Sequence, residues 1–94
     1  MLPLFEWDEA KAKRNLQKHK IGFPEGATVF RDAMVASMPD PDHSIDEERF
    51  VALGFSAHRR LLVVVYTRRG ERIRIISCRK ATTKERRVYE EGKE

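Results

Sequence analysis

The sequence predicts a single α+β domain over residues 1–94, with an antiparallel β-sheet, two N-terminal helices and one C-terminal helix. Leu61–Val65 is a continuous apolar run, and after Arg69-Gly70 the segment Arg72–Ile75 alternates between charged and apolar residues. This combination is typical of a central hairpin. Helix-forming segments with capping signals lie before and after the predicted strands. No repeat or linker divides the 94 residues, and this length suits one small core.

The N-terminal residues predict a short strand and a helix. Leu4–Trp7 has apolar residues at both ends and reads as the strand. Asp8 then stands at the N-cap position of a helix over Glu9–Lys20, and Gly22 follows as its stop signal. We expect one stripe of this helix to face the sheet. The stripe consists of Ala12, Asn15, Leu16 and His19.

The remaining chain predicts a second helix, four strands and a last helix. The second helix begins at Phe23-Pro24 and ends near Asp32. Thr82 and Glu85 have the spacing of a capping box, which predicts the last helix over Thr83–Glu91. The four strands are Met34–Met38, Arg49–Ser56, the strand that begins with Leu61–Val65, and Arg72–Lys80.

An acidic loop, Pro39–Glu48, joins the first two of these four strands and contains five carboxylates and one histidine. The spacing of its possible ligands matches no metal-binding motif, so we predict no metal site and no cofactor. Those possible ligands are Asp40, Asp42, His43 and Asp46.

Positive charge is concentrated in the predicted hairpin. The net charge of the chain is +4, yet residues 59–80 contain eight Lys/Arg and one Asp/Glu, a net of +7. Residues 1–58 contain seven Lys/Arg and ten Asp/Glu, a net of −3. A cationic sheet surface is typical of proteins that bind nucleic acid or an acidic protein partner. The same charge can also serve only to solvate an exposed face.

The apolar runs and the cysteine count point to the cytoplasm. No apolar run is long enough to span a membrane, and no signal segment follows the first residue. The single cysteine, Cys78, excludes an internal disulfide. Because it lies on an apolar strand, we expect Cys78 to be buried rather than to act as a nucleophile.

The charged residues suit metal-independent cleavage of RNA by its own 2′-hydroxyl. That reaction needs a base, an acid and cations that stabilise the extra charge on phosphate. His19 or Glu48 could move protons, and Arg74, Arg79 or Lys80 could stabilise the phosphate. The cations that we expect to bind RNA are Lys18, Arg49, Arg72, Lys80 and Arg86. A structural role for His19, a strand-end salt bridge between Glu48 and Arg49, and packing roles for Tyr66 and Tyr89 remain open alternatives.

Several stretches carry a resemblance to a known family. They are Phe5–Asp8, Asn15–His19 with Gly22-Phe23, Ala27–Phe30, Glu48–Gly54, Leu61–Thr67, and Arg74–Ala81 with Glu85-Arg86 and Tyr89-Glu90. In this order they resemble the BrnT toxins of bacterial toxin–antitoxin pairs over nearly the full length. The resemblance implies a RelE-like fold and a ribonuclease that arrests translation. It also implies a BrnA-like antitoxin, an assembly of two toxin and two antitoxin chains, and binding of operator DNA through the antitoxin.

Two function hypotheses follow. The first is a metal-independent endoribonuclease toxin that cleaves RNA and arrests translation until its antitoxin binds it. The alternative is a non-catalytic basic adaptor that binds an acidic protein segment or nucleic acid. Inward-facing polar residues beside cations, as expected for Asn15 and His19, favour the enzyme because an adaptor does not need them.

Overall fold

The computed structural model describes residues 3–41 and 48–92 of the chain. The predicted order of elements is confirmed, and a turn of 3₁₀ helix, Val29–Arg31, follows the second helix. The strands are β1 (Leu4–Glu6), β2 (Ala36–Pro39), β3 (Arg49–Phe55), β4 (Leu61–Arg69) and β5 (Arg72–Lys80). The helices are α1 (Glu9–His19), α2 (Phe23–Thr28) and α3 (Thr83–Glu91). Asp42, His43 and Asp46 of the predicted acidic loop lie outside the described residues.

The five strands form one sheet in the order β1-β5-β4-β3-β2. The pairs β2–β3, β3–β4 and β4–β5 are antiparallel, whereas β1 pairs parallel with β5. The predicted α+β class is therefore confirmed, but the sheet is mixed rather than purely antiparallel. A three-residue strand has no residue pattern that specifies its direction. Its direction is defined instead by its pairing with β5, a strand that lies 66 residues or more further along the chain.

The central strand β4 is buried on both faces and separates two apolar clusters. On one face, Leu62 and Val64 pack against residues of α1, α2 and the segments next to them, including Ile21 and Phe23. On the other, Leu61, Val63 and Leu53 pack against Tyr89 of α3. The helices thus lie on both faces of the sheet. Helices α1 and α2 lie on one face, and α3 lies on the other, which we call the α3 face.

The buried stripe of α1 is centred on Asn15, which is 7% exposed. Ala12 and His19 are half-buried, whereas Leu16 is 50% exposed. The expectation that Leu16 faces the sheet was wrong. The side chain of Asn15 bonds to the backbone of Cys78 on β5, and this contact turns Leu16 toward the flank of the helix.

The helix ends follow local signals. Asp8 caps α1 by accepting a hydrogen bond from the backbone N–H of Lys11, and α1 ends where Lys20 adopts a left-handed φ of 60°. Thr82 and Glu85 form the predicted capping box at the start of α3. No helix in residues 3–41 and 48–92 has both the length and the apolar content that a membrane span requires.

Candidate functional site

A row of polar side chains crosses the α3 face of the sheet. In the strand register, Arg49 lies opposite Thr67, Thr67 opposite Arg74, and Arg74 opposite Glu6. Residues directly opposite each other share a face, so this row unites side chains from β3, β4, β5 and β1. Neighbouring strands are about 4.8 Å apart, which places Arg49 and Arg74 roughly 10 Å apart across the sheet.

A second row adds two more arginines next to the first. Arg69 at the end of β4 lies opposite Arg72 at the start of β5, and Arg72 lies opposite Leu4. The two rows together form what we call the arginine face. It consists of Arg49, Arg69, Arg72 and Arg74. Helix α3 packs on Leu61 and Val63 at one end of the sheet, and the arginine face occupies the other end. The alternation of charged and apolar residues over Arg72–Ile75 thus puts the two arginines on this face and the buried Ile73 and Ile75 on the other.

Glu6 connects two members of the arginine face. Its Oε2 accepts a hydrogen bond of 2.7 Å from Nη1 of Arg74, and its Oε1 lies 3.7 Å from Nη1 of Arg72. The hydrogen bond from Arg74 is the main reason that the pKa of Glu6 is lowered from its ordinary value, against the opposing effect of desolvation. Glu6 is therefore a carboxylate at neutral pH. Glu6 was not among the predicted site residues, because its contacts depend on the parallel pairing of β1 with β5.

A bulge in β5 determines which side chains follow Arg74 on the α3 face. Val65 pairs with Ser77, whereas the next residue of β4, Tyr66, pairs with Ile75. One extra residue of β5 is thus accommodated, and the alternation of its side chains shifts by one position. As a result Ser77 and Arg79 lie on the α3 face together with Arg74.

Arg79 is bound to the first turn of α3. Its Nη1 and Nη2 each donate a 2.8 Å hydrogen bond to a carboxylate oxygen of Glu85, and Nη1 also donates to the carbonyl of Lys80 at 3.2 Å. The bond from Arg79 is the main cause that lowers the pKa of Glu85 from 4.5 to about 2. Arg79 therefore has a structural partner in Glu85, and its catalytic role stays a prediction.

Lys18 and His19 lie together in a shallow groove between α1 and β5. The groove has a volume of about 320 Å³ and is lined by Lys11, Arg14, Asn15, Lys18, His19, Ile76 and Ser77. Ser77 also lies on the α3 face, three residues beyond Arg74 along β5, which is about 10 Å. Ser77 therefore lines the groove and shares the α3 face with Arg74, whereas α1, which forms the other wall of the groove, packs against the opposite face of the sheet.

Glu48 lies at the edge of the arginine face. It precedes Arg49, and its backbone carbonyl accepts a 2.6 Å hydrogen bond from the hydroxyl of Thr67. Thr67 is only 3% exposed although it lies between Arg49 and Arg74 in the row. Glu48 lines a cavity of about 340 Å³ with Phe50, Thr67 and Arg68.

Two predicted RNA-binding residues lie apart from the arginine face. Lys80 pairs with Leu62 and therefore points to the face that α1 and α2 cover. Arg86 is on α3, where its guanidinium lies 5.8 Å from the centre of the Phe55 ring. The structure does not bring these two cations together with Arg74.

The inward orientation of Asn15 has a complete structural explanation. Its Nδ2 donates to the carbonyls of Ile21 and Cys78, each at 2.9 Å, and its Oδ1 accepts from the Cys78 N–H at 3.1 Å. Asn15 therefore no longer discriminates between an enzyme and an adaptor. The thiol of Cys78 is fully buried, and burial is the main cause that raises its pKa to about 12, so it stays protonated.

The two tyrosines pack in the core and use their hydroxyl groups internally. The Tyr66 hydroxyl bonds to that of Ser37, and the Tyr89 hydroxyl donates to Asp32 at 2.6 Å. Burial is the main cause that raises the pKa of Tyr89 to about 12. Within residues 3–41 and 48–92, no three His, Cys, Asp or Glu side chains are grouped so that they could hold a metal ion.

Comparison with known proteins identifies the family. No curated protein matches the sequence. The structure is similar to the 1.1 Å crystal structure of the Brucella abortus ribonuclease toxin, BrnT. The TM-score is 0.63 at 21% sequence identity, and the match covers 85% of this chain and 99% of that chain, which shows a shared fold. A family model described as "Ribonuclease toxin, BrnT, of type II toxin-antitoxin system" matches residues 7–85. The chain therefore belongs to the BrnT family of ribonuclease toxins of type II toxin–antitoxin systems.

Proposed function

We propose that this protein is an endoribonuclease that cleaves RNA by attack of the 2′-hydroxyl, without a metal ion, and thereby arrests translation. The main observation in support is the row in which Arg74 lies between Thr67 and Glu6, with Arg49 on the same face. This arrangement places cations on a rigid sheet, where they can meet the charge that develops on phosphate.

Arg74 is our candidate for stabilising that charge. Its side chain is 30% exposed and held by Glu6, so it is both accessible and restricted in position. Arg72 is 60% exposed and 3.7 Å from Glu6, which suits a cation that attracts RNA rather than one held for catalysis. Arg49 adds a cation in the same row, and Lys18 adds one in the groove between α1 and β5.

Proton transfer is assigned to His19, with Glu48 as the second candidate. Histidine is the side chain best suited to exchange protons near neutral pH. His19 is half-buried in the groove between α1 and β5, which Ser77 also lines. Glu48 precedes Arg49 on the opposite side of the row. An RNA strand that passes from the groove to the arginine face would contact both regions.

The partner implied by the family is an antitoxin. We propose that a BrnA-like antitoxin covers the arginine face in an assembly of two toxin and two antitoxin chains. It would also provide the contact with operator DNA, and the complex would act in the cytoplasm. The net charge of +7 over residues 59–80 supports an acidic surface on this partner.

A non-catalytic adaptor is the second candidate, because structural contacts account for Asn15 and for the terminal nitrogens of Arg79. The deciding experiment incubates the purified protein with RNA in excess chelator, beside an Arg74→Ala variant. We expect wild-type cleavage with chelator, and a loss on the order of 10²–10³ in rate for Arg74→Ala. Intact RNA that stays bound to wild-type protein would favour the adaptor, and cleavage only after addition of a divalent metal would contradict metal independence.

A further inference from the structure

Glu6 is an acidic side chain placed among the arginines of the arginine face. We infer that Glu6 is a positioning residue, which holds the guanidinium of Arg74 in the orientation that acts on RNA. This inference rests on the proposed function, because it assigns Glu6 a role in that reaction. The contact itself is a 2.7 Å hydrogen bond between Nη1 of Arg74 and Oε2 of Glu6.

The geometry of this contact leaves part of the guanidinium available. In the part of the chain that the structure describes, Glu6 accepts from Nη1 of Arg74, and the Nε and Nη2 groups have no hydrogen-bond partner. Those two groups form one fork of the planar guanidinium, which can bind two oxygens of a phosphate. A carboxylate on one side and a phosphate on the other would fix the plane of the guanidinium between them.

The position of Glu6 is in turn fixed by the sheet. Glu6 pairs with Arg74 in the parallel register of β1 and β5, and the preceding Phe5 pairs with Ile73. Phe5 also packs against the core with its ring centre 5.5 Å from that of Phe30. The carboxylate is thus attached to a backbone that cannot follow a mobile arginine, so it restricts the rotamers of Arg74.

Simple electrostatics argues against a role in RNA attraction. The negative charge of Glu6 opposes the approach of phosphate, so a surface that only binds RNA would bind it more tightly without Glu6. An ion pair with partners that are 25% and 30% exposed also adds little to stability. Both considerations leave the orientation of Arg74 as the main effect of the contact.

Two variants separate the charge of Glu6 from its contact with Arg74. Glu6→Ala removes both, whereas Glu6→Gln removes the charge but keeps an oxygen that can accept from Arg74. We expect both variants to bind RNA more tightly and to have a lower KM. We expect kcat to fall about 10–100-fold in Glu6→Ala, because a displaced catalytic group costs up to about 100-fold. Glu6→Gln should recover much of this loss, and the exposed residue Glu90 provides the charge-matched control, Glu90→Ala.

The experiment measures kcat and KM for RNA cleavage in wild type, Glu6→Ala, Glu6→Gln, Glu90→Ala, Arg74→Ala and the double variant Glu6→Ala/Arg74→Ala. In the double variant we expect kcat to equal that of Arg74→Ala, since Glu6 acts through Arg74. An unchanged kcat in Glu6→Ala, while Arg74→Ala loses activity, would overturn this inference and leave the proposed function standing. A further loss of kcat in the double variant would also overturn it. Absence of cleavage by wild type would reject the proposed function and this inference with it.

A third variant at this position covers the case in which Glu6→Ala does not fold. Glu6→Asp keeps the charge but is one methylene shorter, which draws the carboxylate away from Arg74. We then expect kcat to fall while KM stays at the wild-type value. A wild-type kcat in Glu6→Asp would overturn the inference.

Discussion

Asn15 pairs with the backbone of Cys78 in the way that a neighbouring strand would. Its Oδ1 accepts from the Cys78 N–H at 3.1 Å, and its Nδ2 donates to the Cys78 carbonyl at 2.9 Å. Strand β1 pairs with β5 only along Arg72–Arg74, so the edge of β5 at Cys78 lies beyond the end of that pairing. One amide side chain from α1 therefore completes the hydrogen bonding of this edge and fixes the helix, with its groove, against β5.

The first prediction concerns this contact. Asn15→Ala leaves the buried N–H and C=O of Cys78 without their partner, and each such group costs about 1–3 kcal/mol. We expect the free energy of unfolding to fall by about 2–6 kcal/mol, measured by urea denaturation. Gln17→Ala, at an exposed position of the same helix, is the control and should change it by less than about 0.5 kcal/mol. Equal stability of the two variants would show that Asn15 does not hold the edge of β5.

Much of the fold could be predicted because its signals are local. Thr82 and Glu85 specify the start of α3 within four residues, and Arg72–Ile75 shows by alternation which side chains share a face. The direction of β1 could not be predicted from a three-residue strand. Its pairing with β5 creates the contact between Glu6 and Arg74, which are 68 residues apart in sequence.

The arrangement of the candidate site residues could be predicted in part for the same reason. Arg72 and Arg74 were predicted to act on RNA. They lie on one face of the sheet because the bulge in β5 comes only after Ile75. The orientation of Arg79 depends on the bulge that lies between Ile75 and Ser77, and a bulge of this kind has no clear signal in the sequence. Its pairing with Glu85 therefore emerged only from the structure.

The second prediction uses the pH dependence of the pair formed by Arg79 and Glu85. The bond from Arg79 is the main cause that lowers the pKa of Glu85 from 4.5 to about 2. A lowered carboxyl pKa contributes stability that is present above about pH 4.5 and is lost as the pH falls toward 2. We expect Glu85→Gln to melt at a lower temperature than wild type at pH 6, with a difference that shrinks toward pH 2. A difference that stays constant over this range would mean that the ion pair does not stabilise the fold.

The third prediction concerns the antitoxin. If the partner covers the arginine face and the adjoining groove, Arg72, Arg74 and Lys18 should react less with covalent footprinting reagents in the complex than in the free protein. Lys13, an exposed residue of α1 outside the groove, is the control and should react equally in both states. Equal reactivity of Arg72, Arg74 and Lys18 with and without antitoxin would show that it binds elsewhere.

The fourth prediction separates chemistry from charge. Removing a proton-transfer group should lower turnover, so we expect His19→Ala to retain its fold and RNA affinity but to lose cleavage and growth inhibition. Arg72→Ala should instead weaken RNA binding, with a loss that shrinks as the salt concentration rises, and should keep most of its turnover at saturating RNA. Single-turnover cleavage with saturating protein measures both. The same salt-dependent defect in the two variants would place His19 among the RNA-binding cations.

The last prediction tests whether Arg79 acts on RNA or only stabilises α3. We predict that Arg79→Ala keeps the fold and RNA affinity while its cleavage rate falls on the order of 10²–10³, the cost of losing one group that stabilises transition-state charge. The matched control is Glu85→Gln, because Gln retains the capping position but holds the guanidinium less strongly. If Arg79 contacts phosphate, Glu85→Gln leaves the guanidinium in place and should cleave at least as fast as wild type. Both rates are measured under single-turnover conditions well below the melting temperatures of the variants. An Arg79→Ala protein that cleaves at the wild-type rate would show that Arg79 serves only the capping of α3. A loss of equal size in Arg79→Ala and Glu85→Gln would show that the ion pair, rather than Arg79 by itself, supports cleavage.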